Sequence, residues 1–349
     1  MAYSTINKGS SFMNPILYTG TGSNQSITGV GFQPDLIWGK SRNVTGDNYI
    51  FDAVRGSSNL LKANSNAEEE TGATTALTGF DSDGFSVGTS ADMNGSTNTR
   101  VAWNWKAGTT SGLSGGTITP SSYSINTTSG FGIYKWTGTG SAGTIAHGLG
   151  ATPKMMIVKA LSAAPGGAQA WSVYHASLGN DKFLVLNSTD AETTTTTDWN
   201  STSPTDTLFT LGTANRTNAV GGDYIAYVWC DVAGFSKFGI YTGNGNADGA
   251  FVYTGFKPQF VMTKAKNASG NAWLMMDRER TTTGGNVINR QLMANTDQAD
   301  DTNENIDFLS NGFKWRRDGG DSNYLNRTYV YMTFGQPIIS NSGVCANAR

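Results

Sequence analysis

Charge is scarce in this chain. Asp, Glu, Lys and Arg make up 14% of its 349 residues, against about a quarter in an ordinary soluble protein. The formal net charge of -2 and a pI near 5.7 give no electrostatic reason to expect a nucleic-acid partner. Cysteine is scarcer still: Cys230 lies in an alternating apolar stretch and Cys345 near the C-terminus. Two cysteines so placed make no disulfide framework, which excludes the usual design of a small protein folded in an oxidising compartment. The N-terminal residues Met1 to Lys8 lack the apolar core of a signal peptide. No run approaches the length of a membrane span, so insertion into a bilayer is not expected. No stretch keeps a helical period, and the acidic run Glu68-Glu69-Glu70 is too short to nucleate a helix without caps.

Chemistry-bearing motifs are missing as well. There is no nucleophile elbow, no His-Glu-x-x-His helix, no zinc-spaced cysteine pair and no phosphate loop. His147 and His175 are the two histidines, and His175, which stands where the sister repeats have Asp52 and Asp277, is expected at the surface rather than as a general base. Asp81-Ser82-Asp83-Gly84 is a fragment of a calcium loop without its closing Glu, so it reads as an Asp-Gly turn. The basic cluster Lys314-Trp315-Arg316-Arg317, flanked by Asp318 and Asp321, reads as a solvated turn. No catalytic, cofactor-binding or metal-ligating residue is assigned, and an enzyme is not expected.

What the sequence does contain is repetition. The stretch Gly31-Phe32-Gln33-Pro34-Asp35-Leu36-Ile37-Trp38-Gly39-Lys40 returns from Gly150 to Lys159 and again from Gly255 to Lys264. Each copy is a loop ending in Pro, an apolar strand and a Lys six positions after the Pro. Around it recur Tyr18, Trp136 or Tyr241 ahead of a Gly-x-Gly loop, then Asp52, His175 or Asp277 at the end of an aromatic-rich strand. Next come a Leu-x-x-Asn from Leu61, Leu184 and Leu292, and an Ala-acid pair at Ala67-Glu68, Ala191-Glu192 and Ala299-Asp300. Alternating strands close the copies, at Val101 to Trp105, Ile225 to Trp229 and Tyr329 to Phe334. Self-similarity at a fixed order outranks any single motif.

The fold expected is therefore all-β: three tandem β-sandwich or jelly-roll-like modules of about 100 residues. Residues 1–14 form an N-terminal arm, 15–108 the first module, 109–130 a Thr/Ser/Gly-rich linker, 131–234 the second module, 235–337 the third and 338–349 a tail. Val101, Trp103 and Trp105 are expected to point into their own module's core. Modules two and three, joined through Phe235 and Phe238, are expected to be rigid, with module one pivoting on the linker. Lys40, Lys159 and Lys264 are expected at solvated strand ends, because lysine is rarely buried without a partner. Asp52 with Arg55, and Asp277 with Arg280, predict structural ion pairs. Tyr18, Trp136 and Tyr241 are the candidate surface-binding residues: a ring beside a polar loop could stack on a sugar face, although core packing at strand ends explains the same rings more cheaply.

The opening Met1 to Lys8, the run Tyr18-Thr19-Gly20-Thr21-Gly22, the turn Phe80-Asp81-Ser82-Asp83-Gly84-Phe85 and Trp103-Asn104-Trp105-Lys106-Ala107-Gly108 resemble the repetitive virion proteins of marine tailed bacteriophages. The resemblance continues through Gly148 to Lys154 and Phe308 to Lys314, covering nearly the whole chain. It implies a non-enzymatic virion structural protein, assembled in the bacterial host cytoplasm and exposed on the particle as a tail fibre or appendage that meets the host surface. A capsid decoration protein is the alternative, and a tail-associated carbohydrate-processing enzyme a more distant one. The partners implied are other virion proteins, a host surface glycan or protein, and further copies of the chain as a homo-oligomer.

Overall fold

The computed structural model describes residues 4–162, 167–281 and 285–339. The chain is all-β: among the described residues helix is confined to Gly9–Ser11, Ala91–Asn94 and Asn215–Asn218. Three large antiparallel sheets share one strand order. In the first, the order is Met13–Thr19, Thr99–Trp105, Leu36–Ser41, Asn48–Asp52, Asn59–Lys62 and Glu70–Thr71. In the second it is Phe131–Thr137, Asp223–Cys230, Pro153–Ala160, Ser172–His175, Lys182–Val185 and Thr193–Thr194, with Ser122–Asn126 added outside Phe131–Thr137. The third runs Ser236–Thr242, Thr328–Pro337, Phe256–Ala265, Leu274–Asp277 and Gln291–Met293.

Each large sheet carries a small one on its outer face. Strand Gln25–Thr28 with Gly84–Val87 and Leu77–Asp81 covers the first, and Gly143–Ala146 with Leu208–Leu211 the second. Phe251–Tyr253 with Gly312–Trp315 and Ile306–Leu309 covers the third. Alternation decides which residue faces which layer. In the first unit Ile37, Tyr49, Phe51 and Ala102 meet Ile27, Leu77, Phe85 and Val87 of the small sheet. Their neighbours Leu36, Trp38, Ile50, Val101, Trp103 and Trp105 point the other way. The same switch separates Tyr224, Ala226 and Val228 from Ile225, Tyr227 and Trp229. It separates Tyr329 and Tyr331 from Val330, Met332 and Phe334 as well.

Those inward residues share a single core. Trp103 lies edge-on to Phe260, and Trp105 touches Trp229, Phe260 and Phe334, so rings from all three large sheets meet. This corrects the expectation that Val101, Trp103 and Trp105 fill their own module's interior. The central strands, such as Leu36–Ser41, Thr99–Trp105 and Asp223–Cys230, are buried on both faces, which is why they read as nearly continuous apolar runs. It also corrects the expected pivot, because the first sheet is built into the common core rather than tethered beside it. Residues 109–130 are not a free linker: Ser122–Asn126 joins the second large sheet against Phe131–Thr137. Phe235 and Phe238 are buried against Phe334, as a tight junction requires, yet Phe235 also meets Phe12 of the arm. The arm docks on the third sheet, where Gly9 N donates to Gln336 Oε1 (2.9 Å) and Gln336 Nε2 to the Asn7 carbonyl (2.9 Å).

Candidate functional site

The densest chemistry lies in the seams between the large sheets, where polar groups are buried beside the aromatic core. Lys40, Lys159 and Lys264 are fully buried, contrary to the expectation of solvated strand ends. Each ammonium donates to two backbone carbonyls, one of them in another unit. Lys40 Nζ reaches Gly46 O and Thr296 O (3.2 Å). Lys159 Nζ reaches Asn66 O (2.8 Å) and Gln169 O (2.5 Å). Lys264 Nζ reaches Thr189 O (3.1 Å) and Asn271 O (2.9 Å). First unit to third, second to first and third to second, the lysines close a cycle. Burial pushes each of them down to a pKa of about 8, because a charged amine loses its hydration there.

The carbonyls that receive these lysines from another unit, Asn66, Thr189 and Thr296, follow the Leu-x-x-Asn motif, which now has a physical account. Leu61, Leu184 and Leu292 enter the common core. Asn64, Asn187 and Asn295 accept from the backbone N–H of Asn48, Trp171 and Trp273 at 2.8 to 3.0 Å. The side chain thus pins the turn that presents the accepting carbonyl to the neighbouring unit.

A second cycle is built on the acid position. Asp52 Oδ2 accepts from Tyr227 Oη of the second unit (2.7 Å) and from Arg55 Nε (2.5 Å). Asp277 Oδ2 accepts from Trp103 Nε1 of the first unit (2.8 Å) and from Arg280 Nε (2.6 Å). Each arginine holds a further acid, Glu69 at 2.9 Å and Asp300 at 2.7 Å. The predicted ion pairs are present and fully buried, and the third acids make them triads. In the first unit the participating acid is Glu69, one residue beyond the Glu68 singled out by the repeat. In the second unit the corresponding residue, His175, is buried and not at the surface as expected. Its Nδ1 accepts from Ser177 N (3.1 Å), so the proton sits on Nε2 and is donated to Tyr331 O (3.1 Å). Burial lowers its pKa to about 4, which keeps the ring neutral at pH 7. His147 is also buried, between Thr205 O and Leu149 N, and burial lowers its pKa as well. Neither ring is exposed as a general base.

The candidate surface-binding rings do not form a surface. Trp136 is fully buried against Tyr224 and Phe209, and Tyr241 is buried against Tyr329 and Phe313. Tyr18 is half-buried on Phe85 and donates to Met93 O at 2.7 Å. The three are equivalent core rings behind the Gly-x-Gly loops, one in each unit. Asp81 to Gly84 is a hairpin turn, with Asp83 accepting from Gly29 N (3.0 Å) and Gly31 N (2.7 Å). In the basic cluster Trp315 is buried, while Lys314 and Arg316 both hold Asp248. Sequence reasoning missed a crevice of about 570 Å³ between the first large sheet and Ser122–Asn126. Its wall includes Gln33, Asp35, Lys106, Thr110 and Tyr123. Asp35 accepts from Ala107 N (2.8 Å) and Ser124 Oγ (2.9 Å), one on each carboxylate oxygen.

A family model described as a domain of unknown function, DUF7483, matches residues 8–337, and the chain belongs to that family. No curated protein is similar enough in sequence to count as a relative.

Proposed function

We propose that this chain is a non-enzymatic structural protein of a tailed-phage virion, exposed on the particle as a tail fibre or appendage that contacts the host surface. One structural observation supports a cohesive role. The buried Lys, Asp, Arg and His side chains of the seams are engaged by partners in the same unit and in a neighbouring one, so their chemistry goes into holding three sheets together. The sequence resemblance supplies the location. Capsid decoration is the second reading, and copy number separates the two: a few to a dozen chains per particle for an appendage, hundreds for a shell protein. Quantitative mass spectrometry of purified virions, with antibody labelling in micrographs, is the test. Absence of the chain from purified particles refutes both readings. A screen of host polysaccharides with the purified chain is expected to show no cleavage.

A further inference from the structure

The three units differ at the outer edges of their sheets. In the second unit one segment, residues 116–126, covers both edges. Thr117 N and Ile118 N donate to Thr144 O (2.9 Å each) at the edge of the small sheet. After Pro120, Ser121 N donates to Lys135 O (2.8 Å), and Ser122–Asn126 pairs with Phe131–Thr137 at the edge of the large sheet. Ile118 and Ile125 enter the second unit's core.

In the third unit the matching edges are terminal strands. Ser236–Thr242 ends the large sheet and Phe251–Tyr253 ends the small one. The hairpin registers Ile145 to Phe209 and Val252 to Phe313 make Phe251 the counterpart of Thr144. Ile240 likewise corresponds to Lys135, through the pairs Tyr241 with Tyr329 and Trp136 with Tyr224. The connection from the second unit covers only the start of this edge, through the bridge of Val232 to Ser236 and the bond from Phe238 N to Asp231 Oδ1 (3.0 Å). Beyond it stand Ile240, Phe251 and Tyr253, exposed by 48%, 47% and 54%. Lys237 links the two edges by donating to Tyr253 O at 3.1 Å.

The first unit treats the same edges differently. Pro15 removes a donor from its outer strand, and Ser26 and Thr28 stand where the third unit has Phe251 and Tyr253. That is how natural sheets blunt an edge. The third unit has large apolar groups instead, beside strand edges to which no further strand is paired among the described residues.

We infer that the paired edges Ser236–Thr242 and Phe251–Tyr253 are a docking site for an extended, uncharged segment of a partner protein, alternating apolar and hydroxyl residues as 116–126 does. Such a segment adds a strand to an open sheet edge, with side-chain pockets setting specificity. A second copy is the poorer occupant. Covering both edges takes a segment that turns from one sheet to the other, as Thr119, Pro120 and Ser121 do here, and an edge strand fixed within its own sheet does not turn. The inference is independent of where on a particle the chain resides.

The probe is a synthetic peptide with the sequence of residues 116–126, added to the full chain and followed by hydrogen–deuterium exchange. The expected result is slowed exchange across Ser236–Thr242 and Phe251–Tyr253. The double variant Phe251→Ser, Tyr253→Thr installs the first unit's residues at exposed positions and is expected to weaken apparent affinity at least tenfold. Unchanged exchange in the wild-type chain at saturating peptide overturns the inference, as does protection that survives the double variant. Sedimentation of the wild-type chain alone is the second arm: self-association abolished by the double variant assigns the edge to a second copy instead, and self-association that the double variant leaves unchanged is the expected result.

Discussion

The second and third units solve one problem in two ways. At the end of the inner strand the third unit buries Asp277, and three residues later Arg280 neutralises it while also holding Asp300. The second unit has neutral His175 there, and Leu178, buried in the common core, stands where the arginine would be. Acid and cation are absent together there. The acid that corresponds to Asp300 in the second unit, Glu192, is served instead by Lys182 (3.0 Å) and Lys266 (2.9 Å). Burial would raise its carboxyl, and the two lysines hold it below the usual carboxylate range. A buried charge is tolerated when paired, and a neutral pair, here a hydrogen-bonded His175 and an apolar Leu178, serves the same place. The two residues therefore change as a unit.

That comparison predicts strong coupling. Arg280→Leu alone leaves Asp277 buried without its cation, whereas Asp300 keeps Arg42 at 3.0 Å. The expected loss is about 3–5 kcal/mol in urea unfolding. Adding Asp277→His rebuilds the second unit's neutral pair inside the third and is expected to recover at least half of that loss. A double variant no more stable than Arg280→Leu would break the analogy.

The lysine cycle gives a smaller effect. Lys264→Met takes the ammonium from Asn271 O and from Thr189 O, which keeps the N–H of Gly270 at 3.0 Å, at a cost of about 1–3 kcal/mol, partly offset because no charge remains to be buried. Thermal unfolding at pH 7 measures it, and a more stable variant would show that the buried charge outweighs its hydrogen bonds.

The smallest effect is in pH dependence. Below pH about 8 the three lysines are charged in both folded and unfolded chains, and the folded state bears the full burial penalty. Between their lowered folded pKa of about 8 and the unfolded value near 10.4, the unfolded chain binds more protons. Stability attributable to the lysines therefore rises with pH. Unfolding free energy measured from pH 7.5 to 9.5 is expected to rise more in the wild-type chain than in Lys264→Met. Parallel curves would show that Lys264 keeps its ordinary pKa when folded.

Much of this was legible in the residues. Strict alternation in Val101 to Trp105 and its two counterparts specified strands, and the recurring Asp-x-x-Arg specified ion pairs, because both depend on spacing of a few residues. Of the two readings of the candidate rings, core packing is the one the structure shows, and the choice was not open to sequence. Tyr18, Trp136 and Tyr241 look alike whether a second layer covers them or solvent does, and only the small sheets decide. The crevice beside Asp35 left no signal, since its walls come from residues far apart in the chain.

The sequence by itself determined the local pattern: strand periodicity, the punctuating Gly and Pro turns, three copies of one order of landmarks, and which acids have a cation three residues away. Tertiary structure alone decided that the copies are fused around one aromatic core. Alternation shows that a strand has two faces, but when both faces are apolar it does not say what covers each. The lysines were misjudged on the same ground. A lysine after an apolar strand belongs in water unless carbonyl acceptors are supplied from elsewhere, and here the acceptors at Thr296, Asn66 and Thr189 come from another unit of the chain.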